Sequence, residues 1–137
     1  MVTLQSMKKV LLVSLLSLLG VCALAQTKAE DIFSFSSKVH DFGTISVKDG
    51  PVSCTFTLTN KSGEDGVIYA VVSSCGCTGV NWTRTVIAPG ESGKIEATYS
   101  NEDGPYPFDK TLTVYVKDAD KPAILHIRGT VTNKKSK

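Results

Sequence analysis

Val52-Ser53-Cys54-Thr55-Phe56-Thr57-Leu58-Thr59 alternates apolar with hydroxyl-bearing residues without a break. Successive side chains of an extended chain point to opposite faces. The stretch therefore reads as a strand with Val52, Cys54, Phe56 and Leu58 on the core face. The same period returns downstream. Ile95, Ala97 and Tyr99 alternate with Glu96 and Thr98, and Leu112, Val114 and Val116 alternate with Thr111, Thr113, Tyr115 and Lys117. Leu125, Ile127 and Val131 share a last inner face, with Gly129 in the same row. Upstream, Ile32 to Ser36 alternates from Phe33 on, and Lys38 to Ile45 forms an edge segment broken at Gly43. Val67 to Val72 is β-branched and apolar almost throughout, as in a strand covered on both faces. Asn81 to Ile87 reads as a weaker strand.

Turn signals separate these runs: Asp49-Gly50-Pro51, Lys61 to Gly66, Pro89-Gly90, Asn101 to Pro105 and Asp118 to Pro122. Pro-Gly suits the two central positions of a type II turn. No helical period of useful length follows residue 26, and no internal repeat is present. The expectation is an all-β fold: an immunoglobulin-like antiparallel β-sandwich of about seven strands. The antibody-type signature is missing, because no cysteine stands on the strand around Val114.

Residues 1–25 read as a signal peptide. Lys8-Lys9 supplies a basic start, Val10 to Val21 an apolar run, and Ala23-Leu24-Ala25 a small-residue cleavage site before Gln26. That pattern is secretory, and the run is short of the roughly 20 residues that span a bilayer. Met7 reads as a better initiator than Met1. Leu19-Gly20-Val21-Cys22 resembles a lipobox that would place a lipid anchor on Cys22, although Val21 is a poor residue before an acceptor cysteine. The reading preferred is cleavage between Ala25 and Gln26, a periplasmic or secreted domain over residues 26–132, and a short basic tail over 133–137. The alternative is a membrane-anchored lipoprotein held through Cys22.

The chain carries 15 Lys and Arg against 13 Asp and Glu. Lys8 and Lys9 belong to the leader, so the exported part is neutral. That balance gives no electrostatic footprint for nucleic acid. The basic tail reads as a solvated end. One exported domain of this length buries a sizeable core without staples.

Three cysteines remain beyond the leader: Cys54, Cys75 and Cys77. An odd count in an exported protein leaves a free thiol or an intermolecular bridge. Cys75-Gly76-Cys77 lies on a loop between two strands. Gly76 permits the bend that residues two apart need to bring their Cα atoms within bridging range. Cys54 begins its strand and Cys75 follows the end of the next one, so successive antiparallel strands would put them at one end of the sandwich. A disulfide joining Cys54 to Cys75 or Cys77 is expected on that ground, worth about 3 kcal/mol in the chain-entropy model. A Cys75–Cys77 bridge and three reduced thiols are its rivals.

The chemistry of this loop divides into a structural turn and a functional pair. Redox-active Cys-x-x-Cys motifs sit at a helix N-terminus that lowers the thiol pKa; no helix is predicted here, and no Lys, Arg or His lies between Val71 and Asn81. Two thiolates are half of a tetrahedral soft-metal site. Cys75 and Cys77 are the metal candidates, but the only histidines are His40 and His126. His126, beside Arg128, reads as a solvated strand residue, and His40 as part of the edge-strand bend. Trp82 reads as a cap on the core whose indole N–H finds a carbonyl. Ser73 and Ser74 have no His or acid at a triad spacing, and no phosphate-binding glycine loop or paired-carboxylate pattern appears. No catalytic residue and no cofactor is assigned.

His40-Asp41-Phe42-Gly43-Thr44-Ile45, the Phe56 to Asn60 strand end, Ser74-Cys75-Gly76-Cys77-Thr78 and Ile87-Ala88-Pro89-Gly90-Glu91 form a recognisable series. They continue in Gly104, Pro107 to Val114, and Leu125-His126-Ile127-Arg128-Gly129. Together these motifs resemble the secreted bacterial family called domain of unknown function 1573, an immunoglobulin-like module. The resemblance covers nearly all of the chain beyond the leader, and Cys-Gly-Cys-Thr followed by Pro-Gly is its most specific part. Pro105-Tyr106 is an insertion relative to it, and Cys54 lies outside its pattern. The resemblance implies export, one sandwich domain and an interaction role; it brings no known catalytic activity, because the family's function is itself unassigned.

The function expected is therefore an exported, non-enzymatic interaction or envelope-structural module whose partner is an unidentified envelope or surface protein. The alternative is a small thiol protein that uses Cys75 and Cys77 for redox exchange or soft-metal binding. Export with cleavage predicts an intact mass beginning at Gln26. A mass beginning at an acylated Cys22 replaces that reading with the lipoprotein one.

Overall fold

The computed structural model describes residues 4–8, 23–102 and 104–134. The apolar run of the expected leader, with Cys22 and its lipobox, and tail residues 135–137 lie outside the described residues. A one-turn helix, α1 (Ala29–Ile32), leads into eight strands: β1 (Phe33–Phe35), β2 (Val39–Ser46), β3 (Val52–Asn60), β4 (Ile68–Ser73), β5 (Thr78–Trp82), β6 (Ser92–Tyr99), β7 (Pro107–Val116) and β8 (Ala123–Thr132). They form two four-stranded sheets, ordered β1-β3-β6-β5 and β2-β8-β7-β4.

The alternating runs form the packed faces. Cys54, Phe56 and Leu58 on β3 meet Ile95, Ala97 and Tyr99 on β6 within the first sheet, in register from Val52↔Tyr99 to Thr59↔Ser92. Leu112, Val114 and Val116 on β7 with Leu125, Ile127 and Val131 on β8 supply the facing layer. Burying each large aliphatic side chain contributes about 1.5–3 kcal/mol. Those layers fill the space between the sheets, as a β-sandwich requires.

The sandwich is mixed instead of wholly antiparallel. β2 pairs with β8 in parallel, from Val39↔His126 to Ser46↔Thr132, and is an edge strand as expected. After β1 the chain crosses to the second sheet, so β2 enters beside β8 running the same way. The break at Gly43 is a register shift between Asp41 and Thr44. Gly43 takes φ 68°, left-handed backbone that favours glycine, and its N–H donates to Asp41 Oδ1 at 2.8 Å. Gly129 is fixed by a close approach: a Cβ there would lie 2.8 Å from the Gly43 carbonyl oxygen and 3.0 Å from the Phe108 ring.

Two strand readings need correction. Val67 to Val72 is not covered on both faces: β4 lies at the edge of its sheet, with Tyr69 60% and Val72 54% exposed. A register shift between Ile68 and Ala70 breaks the alternation that would have marked a one-sided strand. The weak strand comes earlier than Asn81 to Ile87. β5 pairs with β6 from Thr78↔Tyr99 to Trp82↔Ile95, directly after Cys77, and Ile87 makes only an isolated bridge to Gly66.

Leu112→Ala or Val114→Ala is expected to destabilise the domain by roughly 1–4 kcal/mol, the range for truncating buried aliphatics. Thr113→Ala, on the opposite face of the same strand, should cost less than about 0.5 kcal/mol. Urea unfolding of the three variants measures both, and equal losses would contradict the facing assigned to β7.

Candidate functional site

The Cys-Gly-Cys loop is held by backbone bonds at every step. Ser74 N–H donates to Thr111 O at 2.9 Å, and Thr111 N–H donates back to Ser74 Oγ at 3.0 Å. Thr78 N–H donates to Cys75 O at 3.2 Å, and Ser100 N–H to Cys77 O at 2.8 Å. Ser73 Oγ lies 2.5 Å from the Cys75 carbonyl oxygen and 3.1 Å from that of Thr78. The seryl hydroxyls are thus spent on the turn. Inside it, Cys75 and Cys77 are disulfide-bonded, with Cα atoms 5.1 Å apart. Cys77 N–H also donates to Cys75 Sγ at 3.0 Å.

The expected bridge from Cys54 to this loop is therefore corrected: Cys54 is a free, buried thiol. The topological premise fails because β4, the strand after β3, belongs to the other sheet. Cys54 pairs in register with Ala97, which pairs with Val80 on the far side of β6. Two strand spacings, about 9.6 Å, separate β3 from β5, beyond the roughly 7 Å that a disulfide can bridge. Burial pushes the Cys54 thiol up to about 11.

The remaining candidates take structural places. Trp82 packs against the core and its Nε1–H donates to Ile68 O at 3.2 Å, the capping role read from sequence. The Arg84 guanidinium lies 3.9 Å from its ring centroid. His126 Nδ1 is 2.7 Å from Asp109 Oδ1. His40 stands edge-on to Phe42 with centroids 4.5 Å apart. The Gly43 N–H and then the Arg128 guanidinium, 3.2 Å away, hold the Asp41 carboxyl below its usual range. Among the described residues no group of three or more His, Cys, Asp or Glu side chains is placed to hold a metal ion.

The sequence reading missed a surface. On the outer face of the second sheet, Val72, Thr113 and Ile124 form one cross-strand row, and Ala70 and Tyr115 the next. Tyr69 stacks obliquely beside Tyr115, with ring centroids 5.9 Å apart. Tyr69, Val72 and Ile124 are exposed, and β4 carries no charged residue. The face turns polar along β7 and β8 towards Thr111, Asp109, His126 and Arg128. The signal was available in Tyr115 and Ile124, which stand on the solvent side of otherwise alternating strands.

A family model described as "Protein of unknown function (DUF1573)" matches residues 33–131. No curated protein matches the chain in sequence. Solved structures share the fold. A Porphyromonas gingivalis W83 protein of unknown function is similar at TM-score 0.63 and 14% identity, over 81% of this chain and 51% of that one. The Vibrio cholerae VesB protease is similar at TM-score 0.57 and 22% identity, over 73% and 32%. The Pseudomonas aeruginosa CupB2 chaperone is similar at TM-score 0.51 and 12% identity, over 75% and 57%. The chain thus spans between a third and somewhat over half the length of these relatives. Among the described residues no helix is long and apolar enough to cross a membrane.

Iodoacetamide is expected to label Cys54 only after unfolding, and Cys75 and Cys77 only after reduction; peptide mapping reads both. The folded thiol of Cys54 keeps its proton to about pH 11, while the unfolded one starts to lose it near the ordinary value of 9.0. The unfolded state therefore gains from deprotonation, and the Cys54 contribution to stability is lost as pH rises from about 9 towards 11. Cys54→Ser should flatten that part of the stability–pH curve, measured by urea unfolding at each pH.

Proposed function

The chain belongs to the DUF1573 family, and from that premise we propose that it is an exported, non-enzymatic module that binds another protein of the cell envelope. One observation carries the reading: the uncovered apolar face formed by Tyr69, Val72, Tyr115 and Ile124, bordered by the open edge of β4. Contiguous exposed apolar surface marks interaction sites on soluble domains, and tyrosines supply rigid anchors there. β4 is the edge strand of its sheet and carries no Lys or Pro, and past the Ile68 carbonyl, which accepts from Trp82, that edge is a template for a further strand. The edge at β2 is blunted by its bulge at Gly43 and by Asp41 paired with Arg128.

Export rests on the basic, apolar and small-residue pattern of residues 1–25. It is supported by the described residues just beyond the proposed cut, which are tied to the domain: Thr27 N–H donates to Asp120 Oδ2 at 2.9 Å, and Lys28 bridges Lys121. Cleavage between Ala25 and Gln26 keeps both of these contacts. A soluble product in the periplasm or outside the cell is the form proposed, with attachment through Cys22 as the alternative.

A photo-crosslinking residue placed at Val72 or Ile124 in cells is expected to give an adduct with a protein. The same residue at Lys94, on the outer face of the first sheet, should give none. Val72→Lys should abolish the Ile124 adduct while changing stability by less than about 0.5 kcal/mol, as for exposed positions generally. Adducts at Lys94 as abundant as those at Val72 and Ile124, or none at any position, would overturn the proposal.

A further inference from the structure

We propose that the Cys75–Cys77 pair is a thiol–disulfide exchange site in which Cys75 is the attacking sulfur and Cys77 the resolving one. Three observations point the same way. The turn is held by bonds that do not involve the sulfurs: Ser74 to Thr111, Thr78 to Cys75 and Ser100 to Cys77. Opening the disulfide therefore leaves both thiols beside each other. The Cys77 N–H, 3.0 Å from Cys75 Sγ, favours the charged form of that sulfur, because a donor to a thiolate stabilises it. Both cysteines are half-buried, but of the two only Cys77 packs against the buried core, which places its sulfur as the proximal intramolecular nucleophile.

The reaction balances with an external disulfide as oxidant. The Cys75 thiolate attacks one sulfur of that disulfide, whose S–S bond breaks, and the other external sulfur leaves as a thiolate with the bonding pair. The Cys77 thiolate then attacks Cys75 Sγ, closes the Cys75–Cys77 bond and expels the second external thiolate. The two protons given up by Cys75 and Cys77 pass through solvent to the two departing thiolates. The loop loses two electrons and the external disulfide gains them. An external dithiol runs the same steps backwards, attacking Cys75 first. Catalysis by a helix N-terminus is not required, since the backbone N–H inside the turn is the donor. Cys54 takes no part, being buried across β6 from the loop.

The test starts from the purified full chain, reduced with dithiothreitol and desalted, then exposed to oxidised glutathione at pH 7 and acid-quenched for peptide mapping. In the Cys77→Ser variant a glutathione adduct should accumulate on Cys75 and persist. In the Cys75→Ser variant the adduct on Cys77 should form roughly tenfold more slowly, as for a thiol without thiolate stabilisation. The unaltered chain should return to the Cys75–Cys77 disulfide with only a transient adduct. If either variant fails to fold, competitive alkylation of the reduced, unaltered chain with limiting iodoacetamide replaces it, with Cys75 expected to be labelled before Cys77. Equal rates at the two cysteines, or faster reaction at Cys77, would overturn the assignment. Failure of both to react faster in the folded than in the denatured chain would overturn the site. A parallel arm with disulfide-bonded insulin distinguishes the source of the disulfide. Exchange with both reagents assigns the site to protein disulfides, and exchange with glutathione alone assigns it to small ones. The crosslinking result on the outer sheet face is independent of either outcome.

Discussion

Tyr99 stacks on Phe108 across the gap between the sheets, with ring centroids 4.1 Å apart, and one end of the sandwich is built around that contact. Tyr99 ends β6 in register with Val52 and Thr78, while Phe108 sits opposite Gly129 in the other sheet. The stack therefore sets how far apart the sheets lie where the disulfide loop emerges. An aromatic pair contributes about 0.5–1.5 kcal/mol beyond its buried area. Its geometric effect is larger. Ser100, the next residue after Tyr99, donates the bond that holds the Cys77 carbonyl, so the position of the loop follows from the position of the ring.

Two buried asparagines close the turns that the apolar layers leave open. Asn60 Nδ2 donates to the carbonyls of Glu64 and Ile87, and its Oδ1 accepts from the Ser62 N–H and hydroxyl. Asn101, in left-handed backbone at φ 60°, donates to the carbonyls of Ser46 and Gly50. Each ties together backbone carbonyls from separate stretches of chain, through hydrogen bonds that contribute about 0.5–1.5 kcal/mol apiece. Asn101 thereby clasps both ends of the short 3-10 turn Val47–Asp49, and Asn60 fixes the irregular loop that follows β3.

The strand interiors were legible because a period of two survives burial on one side. Phe56, Leu112 and Ile127 declare their faces in the sequence and hold them in the fold. What was not legible was partnership between strands. Cys54 and Cys75 are near neighbours in chain order, but whether β4 follows β3 within a sheet or crosses to the other is not written in either strand. The parallel course of β2 has the same origin. Val67 to Val72 misled for a different reason: an apolar run without alternation is what a buried strand and a bulged, uncovered edge have in common. The loop was visible as Cys-Gly-Cys. The amide that favours one sulfur over the other is backbone, and backbone orientation has no letter of its own.

The parallel pairing of β2 with β8 has a mechanical consequence. These are the first long strand of the domain and its last, and they run in the same direction from Val39↔His126 to Ser46↔Thr132. Tension applied between the N-terminal and C-terminal sides of the domain, once β1 has been peeled from β3, draws the two strands past each other lengthwise. The bonds on either side of the Gly43 bulge are then sheared together instead of unzipped in turn. A domain tethered at one end and gripped at the other would yield as a clasp does, in a single event at high force, and would keep its outer face in shape until that moment.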